Sequence, residues 1–230
     1  WYQPAVTGGL FFLGQVFTFL AIQKGDVSVA TPVMGTKILF VTILTAAFTR
    51  QAVEPQLWLA AVLSTLAVAL LGVSRPDQRP RLAATIGLAT LSSLFFAATD
   101  VLVQRWAPLW GALHFIPVMF GVAGALSLSL IPRFSAPLSA IPRATWRQLG
   151  PGCLLIALQA LGLALMLSLF GRAPETNIVY SSRGIWAILI VFFAARFLHS
   201  EERLASRGTL GVRLIGALLI LLSIALVAAP

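Results

Sequence analysis

The chain has 230 residues, of which 59% are hydrophobic and 10% are charged. Soluble domains are about half apolar and about a quarter charged, so this composition excludes a water-soluble globular protein. The net charge of +9 comes mainly from arginines spread between apolar segments, and that spread argues against a nucleic-acid-binding face.

Apolar segments of about 20 residues recur along the whole chain, which is the length that a helix needs to cross a hydrocarbon core about 30 Å thick. Residues with turn chemistry, such as Gly25-Asp26 and Arg75-Pro76, separate them. We therefore predict an all-α, polytopic membrane bundle of eight transmembrane helices in a lipid bilayer. In chain order the predicted helices cover 5–23, 28–49, 56–74, 83–104, 111–131, 150–170, 176–198 and 209–229.

The segment 132–148 is rich in Pro and Arg, and it separates the fifth predicted helix from the sixth. Its Trp146 and Arg147 are residue types that anchor chains at the level of lipid headgroups. We expect this segment to lie partly at the membrane surface.

Two stretches of the sequence resemble each other at a constant offset. Residues 19–48 align with 165–194, a shift of 146, which places Lys37 on Arg183. Each of these cations is followed by an apolar run that contains aromatic residues. The first three predicted helices are thus repeated as the last three. An odd number of crossings separates the copies, so they run in opposite directions, as in the inverted repeats of secondary transporters.

This repeat also predicts how the chain is divided. With five helices in each repeat, 83–230 holds the complete second repeat and 1–76 holds three helices of the first. Repeat symmetry then places two further helices before Trp1, which gives a ten-helix, 5+5 inverted-repeat plan.

Lys37 and Arg183 fall near the middle of the second and seventh predicted helices. A cation at the bilayer centre costs about 2.5–3.5 kcal/mol even on lenient insertion scales, so it needs a counter-ion or a wet cavity. Asp100 is the carboxylate that falls well within a predicted helix, and one carboxylate cannot neutralise both cations. We expect a cavity with excess positive charge that binds a carboxylate or phosphate.

Polar residues near the two cations complete the predicted substrate site. Lys37 would act as a point charge, whereas Arg183 could bind an oxyanion through two N–H groups. The alternative is that both cations have a structural role. The other predicted substrate-binding residues are Thr36, Asn177, Tyr180, Ser182 and Trp186.

A second polar group falls nearer the end of the fourth predicted helix and the start of the fifth. Asp100 and Gln104 are one helical turn apart, and His114 begins the next predicted helix. We expect these residues to serve in coupling or in a gate, with Asp100 paired to Arg105.

The sequence offers little material for catalysis or for a bound metal. Cys153 has no partner for a disulfide, and the two histidines, His114 and His199, are far apart in the sequence. Neither an HExxH motif nor a nucleophile elbow occurs. We therefore expect no enzyme activity, no cofactor and no metal site.

The segment GDVSVATPVMGTKILF, followed by a full apolar span, resembles the repeat of the drug/metabolite transporter superfamily, in particular its EamA-like ten-helix members. His199–Leu204 (HSEERL) is similar to the Gly-Glu-Arg-Leu turn of those repeats, whereas Thr49-Arg50-Gln51 departs from it. The resemblance covers essentially the whole chain, as helices three to ten of the family plan. It implies a secondary transporter in the bacterial inner membrane that moves a small organic solute by alternating access.

Within that superfamily, carriers of sugar phosphates and nucleotide sugars place basic residues in the equivalent helices, which implies phosphate contacts for Lys37 and Arg183. Two alternative functions stay open on the sequence, which are transport of neutral or cationic metabolites or drugs and a non-transporting membrane scaffold. The oligomeric state, monomer or homodimer, also stays open.

Overall fold

The regular structure of this chain is helical throughout the part that its computed structural model describes, and no strand occurs there. That part consists of residues 1–24, 27–49, 53–71, 82–134, 137, 140–186 and 207–228. Its helices are α1 (Tyr2–Lys24), α2 (Val27–Met34), α3 (Lys37–Phe48), α4 (Pro55–Leu71), α5 (Leu82–Trp110), α6 (Ala112–Leu128), α7 (Arg143–Phe170), α8 (Ala173–Tyr180) and α9 (Arg207–Ala228).

Five helical segments in the described part are long and apolar enough to cross a membrane. Many of their large apolar side chains lie on the outside, including Leu155 at 66% exposed and Phe170 at 64%. Such surfaces suit contact with lipid and not with water. The five segments are Tyr2–Gln23, Val29–Phe48, Ala83–Trp110, Ala112–Arg133 and Arg143–Phe170.

Each of the eight predicted helices corresponds to helical residues in the described part, but several bounds differ. Helix α5 continues to Trp110, beyond the predicted end at residue 104. Helix α7 begins at Arg143 instead of residue 150, directly after the extended backbone of Pro142. Trp146 and Arg147 therefore lie in the first two turns of a helix, so the predicted surface segment is partly helical.

Two of the predicted helices are discontinuous, which corrects the sequence prediction. The second breaks at Gly35-Thr36, between α2 and α3. The seventh breaks at Ser181-Ser182, after which residues 183–186 are helical again. Helices α2 and α8 each have 8 residues. Their first residues, Val27 and Ala173, are 146 positions apart, as are the two breaks.

The break between α2 and α3 forms where another helix comes very close. A Cβ atom added at Gly35 would lie 2.7 Å from Cγ1 of Val68 in α4, so only glycine allows this approach. The amide of Gly35 donates to the carbonyl of Pro32 at 3.0 Å, and that of Thr36 donates to the carbonyl of Val33 at 3.0 Å. These bonds between residues three apart tighten the chain into a turn.

Helix α5 is the centre of the bundle, because it contacts α1, α2, α3, α6, α7 and α8. Its Val101 belongs to a buried cluster with Val41 of α3, Met119 of α6 and Leu167 of α7. Helices α4 and α9 pack against each other beside this group. Residues on α5 can thus reach both discontinuous helices.

Because α1 and α6 approach closely at Gly8, one methyl group added there should lower the stability of the protein. A Cβ atom at Gly8 would collide with the carbonyl oxygen of Met119, whereas a Cβ atom at Gly9 would meet nothing within 4 Å. We expect Gly8→Ala to lower the free energy of unfolding by about 1–3 kcal/mol, the range for overpacking a tight contact. Gly9→Ala is the matched control. Thermal unfolding of the purified protein would show equal midpoints for the two variants if this close approach were unimportant.

Candidate functional site

The centre of the candidate site is the carboxylate of Asp100, in the middle of α5. Lys37 Nζ lies 2.7 Å from Asp100 Oδ2, and the two side chains are 17% and 7% exposed. The amide nitrogen Nδ2 of Asn177 donates to the same oxygen at 2.8 Å. One carboxylate oxygen therefore links the first residue of α3 to the middle of α8.

One face of α5 also binds the backbone ends of both discontinuous helices. Ser93, Asp100 and Gln104 share this face, because they are seven and four residues apart. The hydroxyl of Ser93 donates to the carbonyl of Met34 at 3.2 Å, at the end of α2. Gln104 Oε1 accepts the backbone N–H of Ala173 at 2.8 Å, at the start of α8. These bonds satisfy polar groups that a helix terminus otherwise leaves unpaired.

The ring of Tyr180 brings the two predicted cations together. Lys37 Nζ lies 5.9 Å from the centroid of this ring, and Arg183 Cζ lies 4.4 Å from it. Arg183 Nη1 also donates to the Tyr180 hydroxyl at 2.6 Å. The electron-rich face of an aromatic ring attracts cations, so Tyr180 stabilises both charges without neutralising either.

The charges of Lys37, Asp100 and Arg183 sum to one positive charge. Asp100 neutralises Lys37. Arg183 is exposed, and within the described residues no carboxylate lies within ion-pair distance of it. An oxyanion could thus bind the guanidinium of Arg183 without first displacing an acidic side chain.

The predicted pairing of Asp100 with Arg105 is wrong. Arg105 donates instead to the backbone carbonyl of Phe48, at the end of α3. Five residues at 100° each turn Arg105 about 140° around the helix from Asp100, so the two side chains leave α5 on different sides. Lys37 takes the place that we expected for Arg105.

Other predicted residues lie at the edge of this group or outside it. The hydroxyl of Thr36 donates to the carbonyl of Val33 at 2.7 Å. Ser182 takes part in the turn after α8, where its amide donates to the carbonyl of Val179 at 3.0 Å. Trp186 is 62% exposed. His114 is exposed at the start of α6, separated from Asp100 by the last turns of α5.

Buried serines connect the break after α8 to two further helices. Ser64 Oγ of α4 lies 2.7 Å from Ser223 Oγ of α9 and 3.5 Å from Ser181 Oγ. All three residues are at most 5% exposed. Hydroxyl pairs of this kind hold membrane helices together without introducing charge.

Four residues near the site were not predicted from the sequence, namely Ser93, Phe96, Ser64 and Ser223. Phe96 stands one turn before Asp100, and its ring centroid lies 5.8 Å from Lys37 Nζ. The spacing of Ser93, Phe96 and Asp100 along one face was readable in the sequence. No sequence signal related Ser64 to Ser223, because their contact depends on how α4 packs against α9.

Comparisons with known proteins support the fold and go no further. No protein family model matches the sequence, and no curated protein matches it. Among solved structures, the chain is similar to one described only as "Crystal structure of protein", with a TM-score of 0.74 and 16% sequence identity. The similarity covers 97% of this chain and 76% of the solved one. At this identity the similarity concerns the helical fold alone.

Proposed function

We propose that the chain is the main part of a secondary transporter, similar to the EamA-like members of the drug/metabolite transporter superfamily. It moves a small organic anion across a membrane by alternating access. The observation that carries this proposal is the meeting of two discontinuous helices at Asp100, which contacts Lys37 of one and Asn177 of the other.

Discontinuous helices are the usual place of a solute site in secondary transporters, because their free ends expose backbone groups and charges inside the membrane. The breaks at Gly35-Thr36 and Ser181-Ser182 occupy corresponding positions at the offset of 146 residues. This correspondence supports an inverted repeat composed of 1–76 and 83–230. We include in this proposal a ten-helix, 5+5 inverted-repeat plan and a location in the bacterial inner membrane.

Arg183 is the proposed first contact of the solute anion. It has no acidic partner in the described part of the chain, and its guanidinium can hold a carboxylate or phosphate through two N–H groups. The hydroxyl of Tyr180, already bonded to Arg183 at 2.6 Å, lies beside that position. Lys37 becomes available to the anion when its bond to Asp100 opens, which would couple solute binding to movement of α3.

A second candidate is transport of a neutral or cationic solute. The observation that favours it is the pairing of Lys37 with Asp100, which leaves no free charge on Lys37. Lys37 then serves to hold α3 against α5, and the solute binds to Tyr180, Asn177 and apolar surface. The two candidates differ in whether the charge of Arg183 matters for affinity.

We expect carboxylated or phosphorylated metabolites to raise the thermal unfolding midpoint of the purified complete protein, whereas neutral and cationic metabolites do not. A ligand at about 100 times its Kd stabilises the folded state by about 2.7 kcal/mol, which a melting curve detects readily. Each stabilising compound is then tested for counterflow. Proteoliposomes are loaded with the unlabelled compound, and uptake of the same compound, radiolabelled and supplied outside, is measured.

Counterflow of an anion would support transport and the anionic class together. Stabilisation and counterflow by neutral or cationic compounds alone would support the second candidate. Stabilisation without counterflow for every compound would contradict a transport function and favour a membrane scaffold.

A further inference from the structure

A cleft separate from the ion-pair group opens where α3, α5 and α7 end. Its volume is about 800 Å³, within the range of small-molecule sites. Phe48, Pro108 and Phe170 provide apolar walls, and Thr49, Gln104 and Arg105 provide polar groups. The lining thus offers both apolar surface and polar groups to a bound molecule.

The charge of the cleft is positive. Arg105 gives one N–H to the carbonyl of Phe48, and the other N–H groups of its guanidinium have no bond to another described residue. No carboxylate lines the cleft among the described residues. The bond to Phe48 holds the guanidinium at the cleft wall, so less side-chain entropy is lost when an anion binds.

Two buried hydroxyls lie one helical turn behind this lining. Thr45 precedes Thr49 by four residues on α3, and Ser168 precedes Gly171 by three on the approach to the end of α7. Thr45 is 2% exposed and Ser168 is 7% exposed, and neither hydroxyl has a hydrogen-bond partner in the described part of the chain. Neither residue lines the cleft itself. Buried polar groups are nearly always bonded, so the two hydroxyls are groups that a ligand or water entering past the lining can bond.

We propose that this cleft is an outer binding site for a small carboxylate with an aromatic or branched aliphatic body. The carboxylate binds Arg105, the body packs between Phe48 and Phe170, and the hydroxyls of Thr45 and Ser168 bond to the ligand or to water that it carries inward. Gln104 separates this site from Asp100, one turn or about 6 Å further along α5. The site does not include Lys37 or Arg183.

The test measures binding of radiolabelled benzoate to the purified complete protein by scintillation proximity, with benzamide as the neutral analogue of the same shape. We expect benzamide to compete at least tenfold more weakly than benzoate, because it lacks the charge that Arg105 binds. Equal competition by the two compounds would overturn the proposal, and this comparison requires no variant.

Substitution then locates the site. Arg105→Gln is expected to weaken benzoate binding roughly tenfold to hundredfold, the loss of a charge-assisted pair. Arg133→Gln is the matched control, because Arg133 is also exposed and also donates to a backbone carbonyl, that of Ser129 at 3.4 Å. If Arg105→Gln does not fold, Arg105→Lys serves, with weaker binding expected because Lys lacks the planar fork.

The buried hydroxyls give an independent measurement. Thr45→Val keeps the shape of the side chain and removes its hydroxyl, so a purely structural role predicts equal or higher thermal stability and unchanged benzoate affinity. The proposal predicts that benzoate affinity falls severalfold while stability without benzoate does not fall. Unchanged benzoate affinity in Arg105→Gln, or an equal loss in Arg133→Gln, would refute the proposed site.

Discussion

Replacing Asp100 by Ala is expected to lower the free energy of unfolding by about 3–5 kcal/mol, the cost of leaving a buried charge without its partner. The substitution removes the ion pair with Lys37 and the bond from Asn177 together. Because Lys37 is 17% exposed and retains some hydration, we expect a value near the lower end of this range. Thermal or chemical unfolding of the purified protein measures it.

A double-mutant cycle identifies the cause of that loss. Lys37→Met alone and Asp100→Asn alone each remove one member of the ion pair and should destabilise the protein, whereas the two combined remove both charges and should recover much of the stability. Glu54→Gln is the control, since Glu54 is exposed and bonds to the neighbouring Gln56 at 2.8 Å. If the double variant is no more stable than Asp100→Asn alone, the buried pair is not what holds these helices together.

Arg183→Gln is expected to reduce the affinity of the transported anion roughly tenfold to hundredfold, because it removes a charge-assisted hydrogen-bonding group. The effect should appear as a higher KM in proteoliposome uptake. Thermal stability without solute should change by less than about 0.5 kcal/mol, because Arg183 is exposed and pairs with no described carboxylate.

Arg183→Lys tests how the charge is used. Lysine keeps the charge but cannot hold an oxyanion through two parallel N–H groups, so we expect an intermediate KM. An unchanged KM in both Arg183 variants would exclude Arg183 from solute binding and leave the neutral or cationic candidate. A loss of folding in Arg183→Gln would instead show a structural role.

The helical fold could be predicted because apolar length alone determines where a chain can cross a bilayer. The same reasoning placed the end of α5 too early, because Gln104 and Arg105 are polar residues within a continuous helix. It also missed the breaks at Gly35-Thr36 and Ser181-Ser182. The mean hydropathy of a sequence window does not reveal a break in a helix when the residues on both sides of the break are apolar.

For the candidate site, residue types were predicted better than contacts. Lys37, Asn177, Tyr180 and Arg183 meet around one ring and one carboxylate, as expected of residues near the two repeated cations. The partner of Asp100 could not be deduced, because it depends on the angle at which α5 passes the start of α3. Sequence neighbours such as Arg105 are poor guides here, since a helix turns them away from each other.

The bonds made by α5 fix its register against the rest of the bundle. Ser93 and Gln104 bond to the backbone of Met34 and Ala173. Apart from Ala173→Pro, which removes the N–H, a substitution of Met34 or Ala173 keeps the bonding backbone atom. A slip of α5 by one residue would move these side chains by 1.5 Å along the axis and by about 100° around it, breaking both bonds and the ion pair of Asp100 at once. Apolar packing would also penalise such a slip, because close-packed interiors tolerate little change in volume. The polar face of α5 therefore adds to apolar packing a set of bonds that only one alignment satisfies.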